Sequence, residues 1–391
     1  MVECAGGIPH GNNRDRRSLK GEQFCAPTDS NARKSGENLQ RRGARMKKKR
    51  FAMMVTFTLV ALHTSPSAWA QSKTLSLETQ INTARYSGIG ALIRKDALDR
   101  EGTPAAPSPF VIKVQIALDR AGYSVGVIDG YNGENVGKAV EAFQSQNDLN
   151  ATGRLDEQTW AELEAQANGA VSYYTLTEKD ISAPLNGGIP SDYAEMAEMK
   201  ALDYTSVQEM LAERFHMDED LLAYLNPETD FSKAGSRILV ADTGADVDGR
   251  TVARIHVNAD KGHLRALDHQ GTLVVFYPAT VGSTESPSPS GTHTVRAVAP
   301  NPTYSYRPDV NFTQGDNTEP LTLPPGPNGP VGSMWIDLSE PTYGIHGTPE
   351  PSKIDKSASH GCVRLTNWDA QELAHLVKPG TVVEFVEVDP Q

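Results

Sequence analysis

The chain has 391 residues, 37 Lys and Arg against 49 Asp and Glu, and a formal net charge of −12. That length allows two or three domains, and 38% hydrophobic residues with 33 Gly and 25 Pro fit globular modules joined by loops. No apolar run reaches the 18 or so residues of a bilayer-spanning helix, and the acidic balance argues against nucleic acid or anionic lipid as partners.

The first 70 residues differ from the rest. Met46 is followed by Lys47, Lys48, Lys49 and Arg50, then by a short apolar stretch from Phe51 to Leu62, then by Ser67-Ala68-Trp69-Ala70. A basic flank, an apolar core and an A-x-A site read as a secretory signal peptide over 46–70, cleaved after Ala70. On this reading residues 1–45 are a non-native leader and Met46 the start. The segment 1–70 holds 13 of the basic and 5 of the acidic residues, so the exported remainder carries a formal charge of −20. Cys4 and Cys25 leave with the leader, and Cys362 is the one thiol that stays. One cysteine makes no internal disulfide, and a lone thiol in an oxidising compartment calls for a chemical reason.

Residues 71–109 carry weak helical spacing at Ile89, Leu92 and Ile93 and end in a Pro-rich linker, Gly102 to Pro109. From Phe110 the period is helical. Val111, Val114, Leu118 and Ala121 line one face; Val136, Ala139, Val140 and Phe143 line a second; Leu155, Trp160 and Leu163 mark a third helix. Turn signals at Asp129-Gly130 and Thr152-Gly153 separate them. With Val114-Gln115, Gly122-Tyr123, Ile128-Asp129-Gly130, Phe143-Gln144 and Thr159-Trp160, the segment 110–166 resembles the peptidoglycan-binding type 1 family, a small three-helix domain. Residues 203–242 place Val207, Met210, Leu211 and Phe215, then Leu221, Leu222 and Leu225, ahead of Ile238-Leu239-Val240. Two short helices leading into a strand resemble a LysM module, an α+β glycan-binding unit; a plain helical connector has the same apolar spacing.

Beyond Asp246-Val247-Asp248-Gly249 the period becomes that of strands: Arg254 to Val257, His263 to Leu267, Thr272 to Phe276, Thr292 to Val298 and Thr381 to Val388. One helix interrupts them, from Trp368 to Val377, capped by Thr366 or Asn367. The fold class is therefore multi-domain: a mainly-β domain, sandwich or barrel-like with one helix, over 251–388, a small three-helix domain and a small α+β module. The run from Pro300 to Pro325, with Tyr304, Tyr306 and Phe312, reads as a long irregular loop whose length points to a function, and it resembles a lid over a donor groove.

Chemistry concentrates in Tyr343-Gly344-Ile345-His346-Gly347-Thr348 and in Ser357-Ala358-Ser359-His360-Gly361-Cys362-Val363-Arg364-Leu365. A nucleophilic thiol needs a base beside it and donors for an oxyanion. An extended segment puts His360, Cys362 and Arg364 on one face, and Gly361 frees the backbone to turn. His256, His263, His269 and His293 lack ligand-like spacing and read as surface or core residues.

The segment 251–388 resembles the L,D-transpeptidase catalytic domain family through His346-Gly347, Ser359-His360-Gly361-Cys362-Val363-Arg364-Leu365, Pro289-Ser290-Gly291 and the Pro324 to Gly332 run ahead of Trp335-Ile336. The resemblance implies Cys362 as nucleophile and His346 as general base, oriented by the carbonyl at or near Gly347. It implies N–H groups of Gly361 and Cys362 in an oxyanion hole, with His360 and Ser359 as supporting residues. Arg364, Tyr343 and Tyr304 become substrate-binding candidates. No metal or other cofactor is implied. The partners implied are peptidoglycan stem peptides and glycan, with a second stem, an envelope protein or water as acceptor, in a periplasm or cell envelope and without stable membrane insertion.

Overall fold

The computed structural model describes residues 75–88, 105–245, 249–282, 287–310, 312–357, 359 and 361–389. The leader, the signal peptide, the Ile89–Ile93 pattern and His360 lie outside them. Among the described residues no helix is long and apolar enough to cross a membrane.

A short helix α1 (Leu77–Asn82), capped by Ser76, precedes the three expected ones: α2 (Pro109–Arg120), α3 (Glu134–Gln146) and α4 (Glu157–Leu163). Ser108 caps α2 with Pro109 at its first position, where a missing N–H costs nothing. Asp156 caps α4. Phe110, Val114, Leu118, Val140, Phe143 and Trp160 are buried together as the spacing required. Gln115 and Gln144 are buried too, and each closes a turn: Gln115 bonds Asp129 and the Gly130 N–H, while Gln144 accepts from the N–H groups of Thr152 and Gly153.

Next come β1 (Val171–Thr175), α5 (Glu178–Ile181), α6 (Tyr193–Ala197), α7 (Val207–Arg214), α8 (Glu219–Leu225) and β2 (Arg237–Ala241). β1 pairs antiparallel with β2, Val171 opposite Ala241, so a strand that precedes residues 203–242 shares their small sheet. Its first strand went unread because it alternates as buried, exposed, exposed, half-buried, exposed and carries little apolar signal. The result is a β-α-α-β unit of β1, α7, α8 and β2, in which the short α5 follows β1 and an insertion, residues 186–204, is closed at its ends by the Asn186 N–H donating to the Tyr204 carbonyl at 2.8 Å.

The remaining chain forms β3 (Arg254–Asn258), β4 (His263–Leu267), β5 (Leu273–Pro278), β6 (Thr280–Val281), β7 (Gly291–Pro300), β8 (Tyr304–Tyr306), β9 (Leu321–Leu323), β10 (Met334–Leu338), β11 (Gly344–His346), β12 (Val363–Arg364), α9 (Asn367–Leu376) and β13 (Val382–Val386). Nine strands make one sheet in the order β5-β4-β3-β13-β7-β10-β11-β12-β6. Its two end strands are separated only by Ala279, so one continuous run serves both ends and the sheet is a nearly closed barrel. Ile255, Val257, Leu264, Val275, Ile336, Ile345, Val363 and Leu373 fill it. The sandwich alternative is thereby set aside. The lid region is not an irregular loop either: β8 and β9 form an antiparallel ribbon, Tyr304 opposite Leu323, because Tyr304, Tyr306, Leu321 and Leu323 put apolar bodies on one side.

Helical domain, β-α-α-β unit and barrel touch closely. The loop after α2 pairs with β5 (Ser124 N–H to the Phe276 carbonyl, 2.9 Å; Phe276 N–H to the Gly122 carbonyl, 2.8 Å) and with the α7–α8 turn (Ile128 N–H to the His216 carbonyl, 2.8 Å). On α9, capped by Thr366, Asn367 is buried and its amide donates to both oxygens of Glu213 on α7 at 3.1 and 3.0 Å. Burial, reinforced by Glu209 and Glu219, pushes the Glu213 carboxyl up to about 7 despite hydrogen bonds from Asn367 and Tyr204.

That raised carboxyl has a consequence for stability. Between its ordinary value of 4.5 and about 7 the folded chain holds a proton that the unfolded chain has released, so stability falls as pH rises through that window. Glu213→Gln should therefore melt together with the unaltered protein at pH 4 and above it at pH 8, by at most about 3 kcal/mol. Circular dichroism melts at the two pH values measure this, and a variant less stable at pH 8 contradicts it.

Candidate active site

Three adjacent strands build the site. β10 runs antiparallel to β11, with Trp335 opposite His346; β11 runs parallel to β12, with Ile345 beside Val363 and His346 beside Arg364. Since alternate residues of a strand point to opposite faces, Ile336, Ile345 and Val363 enter the barrel core while Trp335, His346 and Arg364 face outward. Cys362 precedes Val363 by one and continues the outward set. Cys362, His346, Arg364, Trp335, Tyr343, Tyr304, Phe312 and Tyr193 accordingly line one cavity of about 320 Å³ beneath the β8–β9 ribbon.

His346 is buried, and its Nδ1 lies 2.7 Å from the Gly347 carbonyl oxygen. A carbonyl only accepts, so Nδ1 carries the proton and Nε2 presents its lone pair. Trp335 stacks on the ring at 5.5 Å and 16°. Gly344 makes room for this: a Cβ there would stand 2.4 Å from the indole. Burial and the Arg364 charge, only partly opposed by the Gly347 bond, pull the imidazole down to about 3. Burial raises the Cys362 thiol above its ordinary value, against the Gly344 N–H and Arg364. Both groups are neutral at rest. The half-buried thiol points to the Thr342 carbonyl at 3.9 Å, and Thr342 itself holds φ of +73°, a costly conformation for a β-branched residue that the surrounding turn enforces.

The loop before the thiol is fixed by short polar contacts. Ser359 is buried; its N–H donates to the Gly282 carbonyl at 3.0 Å and its hydroxyl to the Cys362 carbonyl at 2.7 Å, while it accepts from the Gly361 N–H at 3.3 Å. Ser288 donates to the Gly361 carbonyl at 2.7 Å. Gly361 has φ of +104°, and a Cβ would meet the Tyr343 ring at 2.7 Å. The Gly361 amide proposed for an oxyanion hole is thus engaged by Ser359. The structure brings Cys362, His346, Gly347, Arg364, Tyr343 and Tyr304 together. His256, His263 and His293 sit apart from them, beside Glu384, Asp389 and Glu340.

Sequence reasoning missed Trp335, Thr342 and Tyr193. Trp335 had a usable signal: Met334, Ile336 and Leu338 alternate inward, which leaves a large aromatic on the outer face of a strand next to His346. Thr342 is visible only as backbone geometry, and Tyr193 comes from a segment with no periodic pattern.

The arrangement places a thiol and an imidazole in one cavity on the outer face of a mainly-β barrel. Comparison with known proteins gives the particular class. Residues 252–385 match the family model described as "L,D-transpeptidase catalytic domain", and residues 107–163 the one described as "Putative peptidoglycan binding domain". The chain carries an L,D-transpeptidase catalytic domain preceded by a peptidoglycan-binding domain. It is 51% identical over 61 residues to "Putative L,D-transpeptidase YkuD" of Bacillus licheniformis, covering 16% of this chain and 37% of that one. It is 27% identical over 187 residues to "Probable L,D-transpeptidase YbiS" of Escherichia coli K12, covering 47% and 61%. The match thus spans between about a third and three fifths of these relatives. The crystal structure of L,D-transpeptidase 3 from Mycobacterium tuberculosis aligns over 39% of this chain and 76% of that one at 14% identity, with a TM-score of 0.29, too distant to bear on the assignment. The two family-model matches do not extend to the LysM resemblance of residues 203–242.

The corner beside the imidazole is testable. A Cβ on Gly347 would stand 2.1 Å from Asn367 Oδ1, which accepts the Ser333 N–H at 3.0 Å. Gly347→Ala should cost about 1–3 kcal/mol, as overpacking of a tight site does, and slow alkylation of Cys362 as well. Urea unfolding and a timed iodoacetamide reaction check both; a variant unchanged in stability contradicts the close approach.

Proposed function

We propose that this protein is an exported cell-wall enzyme that forms a thioester between Cys362 and a peptidoglycan stem peptide and passes the acyl group to an amine. The observation that carries the proposal is the outward face of β11 and β12: thiol and imidazole share one cavity, and the Gly347 carbonyl leaves Nε2 as the acceptor. The Cys362 sulfur attacks the carbonyl of the third residue of a stem tetrapeptide as its proton passes to His346 Nε2. The imidazolium is held by the Gly347 carbonyl and the Trp335 face. Collapse of the tetrahedral adduct breaks the amide, and the departing D-Ala amine takes the proton from His346. An acceptor amine then attacks the thioester and gives its proton to His346, and the leaving thiolate recovers it. The amide energy is conserved in the thioester, so no ATP is consumed.

Donors for the oxyanion are the N–H groups of Cys362 and Gly361. The 3.3 Å bond from Gly361 to Ser359 is long, and a charged oxygen is the better acceptor. Arg364 supplies a positive field for a substrate carboxylate, and Tyr304 and Tyr343 give the walls. The acceptor is an amine of a second stem or of an envelope protein. A hydrolytic variant of the reaction would use the same residues. The helical domain holds the glycan polymer, the β-α-α-β unit adds a second contact to it, and the site of action is the periplasm.

Incubation with disaccharide-tetrapeptide, followed by mass spectrometry, tests the proposal. Cross-linked dimer lacking one D-Ala is expected, tripeptide alone would make the protein a hydrolase, and unchanged substrate overturns the enzyme reading. Cys362→Ala should give no detectable product, and its turnover would remove the nucleophile assignment. The electrostatics give a further outcome. With the thiol raised and the imidazole near 3, alkylation of Cys362 by iodoacetamide should climb steadily from pH 6 to pH 9 with no plateau near neutrality. A flat profile across pH 5–8 would instead reveal a resting thiolate–imidazolium pair.

A further inference from the structure

The wall of the Cys362 cavity opposite the barrel holds a residue from outside the catalytic domain. Tyr193 opens α6, within the insertion of the β-α-α-β unit, far in sequence from residues 252–385. Its ring meets Tyr306 at 5.2 Å and 87°, Tyr304 at 6.0 Å and 79°, and Phe312 at 6.1 Å and 70°. The insertion clasps the ribbon at both ends. The Gln314 amide donates to the Ser191 carbonyl at 2.8 Å and accepts the Tyr193 N–H at 3.1 Å, and Asn317 donates to Asp192 at 3.1 Å. The Leu202 N–H donates to the Pro325 carbonyl at 2.8 Å, and Leu202 receives the Asn328 N–H at 3.0 Å. Gly326 is needed for that approach, since a Cβ would stand 2.1 Å from the Leu202 carbonyl.

Burial separates anchoring from contact. Leu202 and Tyr306 are completely buried, as residues that only hold the insertion to the ribbon should be. Tyr193 is half-buried and lies on the cavity surface with Cys362, Arg364, Tyr304 and Trp335. An aromatic ring left partly uncovered in the cavity that holds the thiol presents an apolar, polarisable face to whatever enters.

We propose that Tyr193 is a substrate-contacting residue, a wall of the acyl-donor cleft supplied by the β-α-α-β unit, which packs against the stem peptide while Cys362 attacks it. The inference rests on the function proposed above. It makes the insertion part of the specificity of the reaction, and a catalytic domain cut at residue 252 would lack one side of its donor site.

The full chain tests this with two reactions on the same thiol. D-Ala release from disaccharide-tetrapeptide needs the wall; alkylation of Cys362 by iodoacetamide does not. Tyr193→Ala should lower kcat/KM for the peptide by roughly tenfold or more and leave the alkylation rate within about twofold. Tyr193→Phe should recover activity to within about threefold of the unaltered protein. Unchanged kcat/KM in Tyr193→Ala overturns the inference, and so does an equal fall in alkylation, which would make the ring a structural prop. Failure of the unaltered protein to release D-Ala overturns the function proposed above, and the inference with it.

Discussion

The amide of Asn367 is the contact on which the arrangement turns. It is buried at the first turn of α9, donates to Glu213 and to the Pro327 carbonyl at 3.2 Å, and accepts from the Ser333 N–H. One side chain thus joins α7, the Pro-rich run, the start of β10 and the corner after His346. An amide in that position satisfies donors and acceptors that would otherwise be orphaned in a dry interior, where each costs about 1–3 kcal/mol. It also explains two glycines of the family-like motifs. Gly332 and Gly347 both approach Asn367 Oδ1 so closely that any Cβ would lie 2.1 Å away.

The loop between imidazole and thiol depends on the helical domain as well as on the barrel. Lys138 of α3 pairs with Asp355, Asn135 donates to the Ile354 carbonyl at 3.3 Å, and the Asp355 N–H reaches Thr280 at 2.8 Å. A loop held from several elements keeps its geometry. The neutral resting pair fits this setting, because a buried ion pair would need more compensating contacts than a half-buried thiol has.

Much of this was readable from the sequence. The helices of the first domain followed from their spacing, and Val111, Val114 and Leu118 lie where the period put them. The strands from Arg254 to Phe276 alternated clearly. The helix after Thr366 announced its cap. What stayed hidden was non-local. β1 is one strand of a two-stranded ribbon with a single buried residue, and its partners lie 62 to 70 residues away. The ribbon in the lid appears only once Tyr193, Leu202 and Met196 supply the other half of a small core. Motif residues identified the Cys362 cavity, but a motif names one chain segment at a time. Tyr193 reaches the cavity through tertiary packing that no local pattern encodes. His360, central to the motif, lies outside the described residues.

The joining of β5 to β6 through Ala279 reaches beyond the shape of the barrel. An open sheet of nine strands would present two rows of unsatisfied N–H and carbonyl groups, each a template for a strand from another molecule. Here one bent run supplies both ends, and the loop after α2 pairs with β5, so part of the terminal edge is already taken within the chain. That edge is covered by a neighbouring loop and ended by Pro278, which has no N–H to offer a further strand.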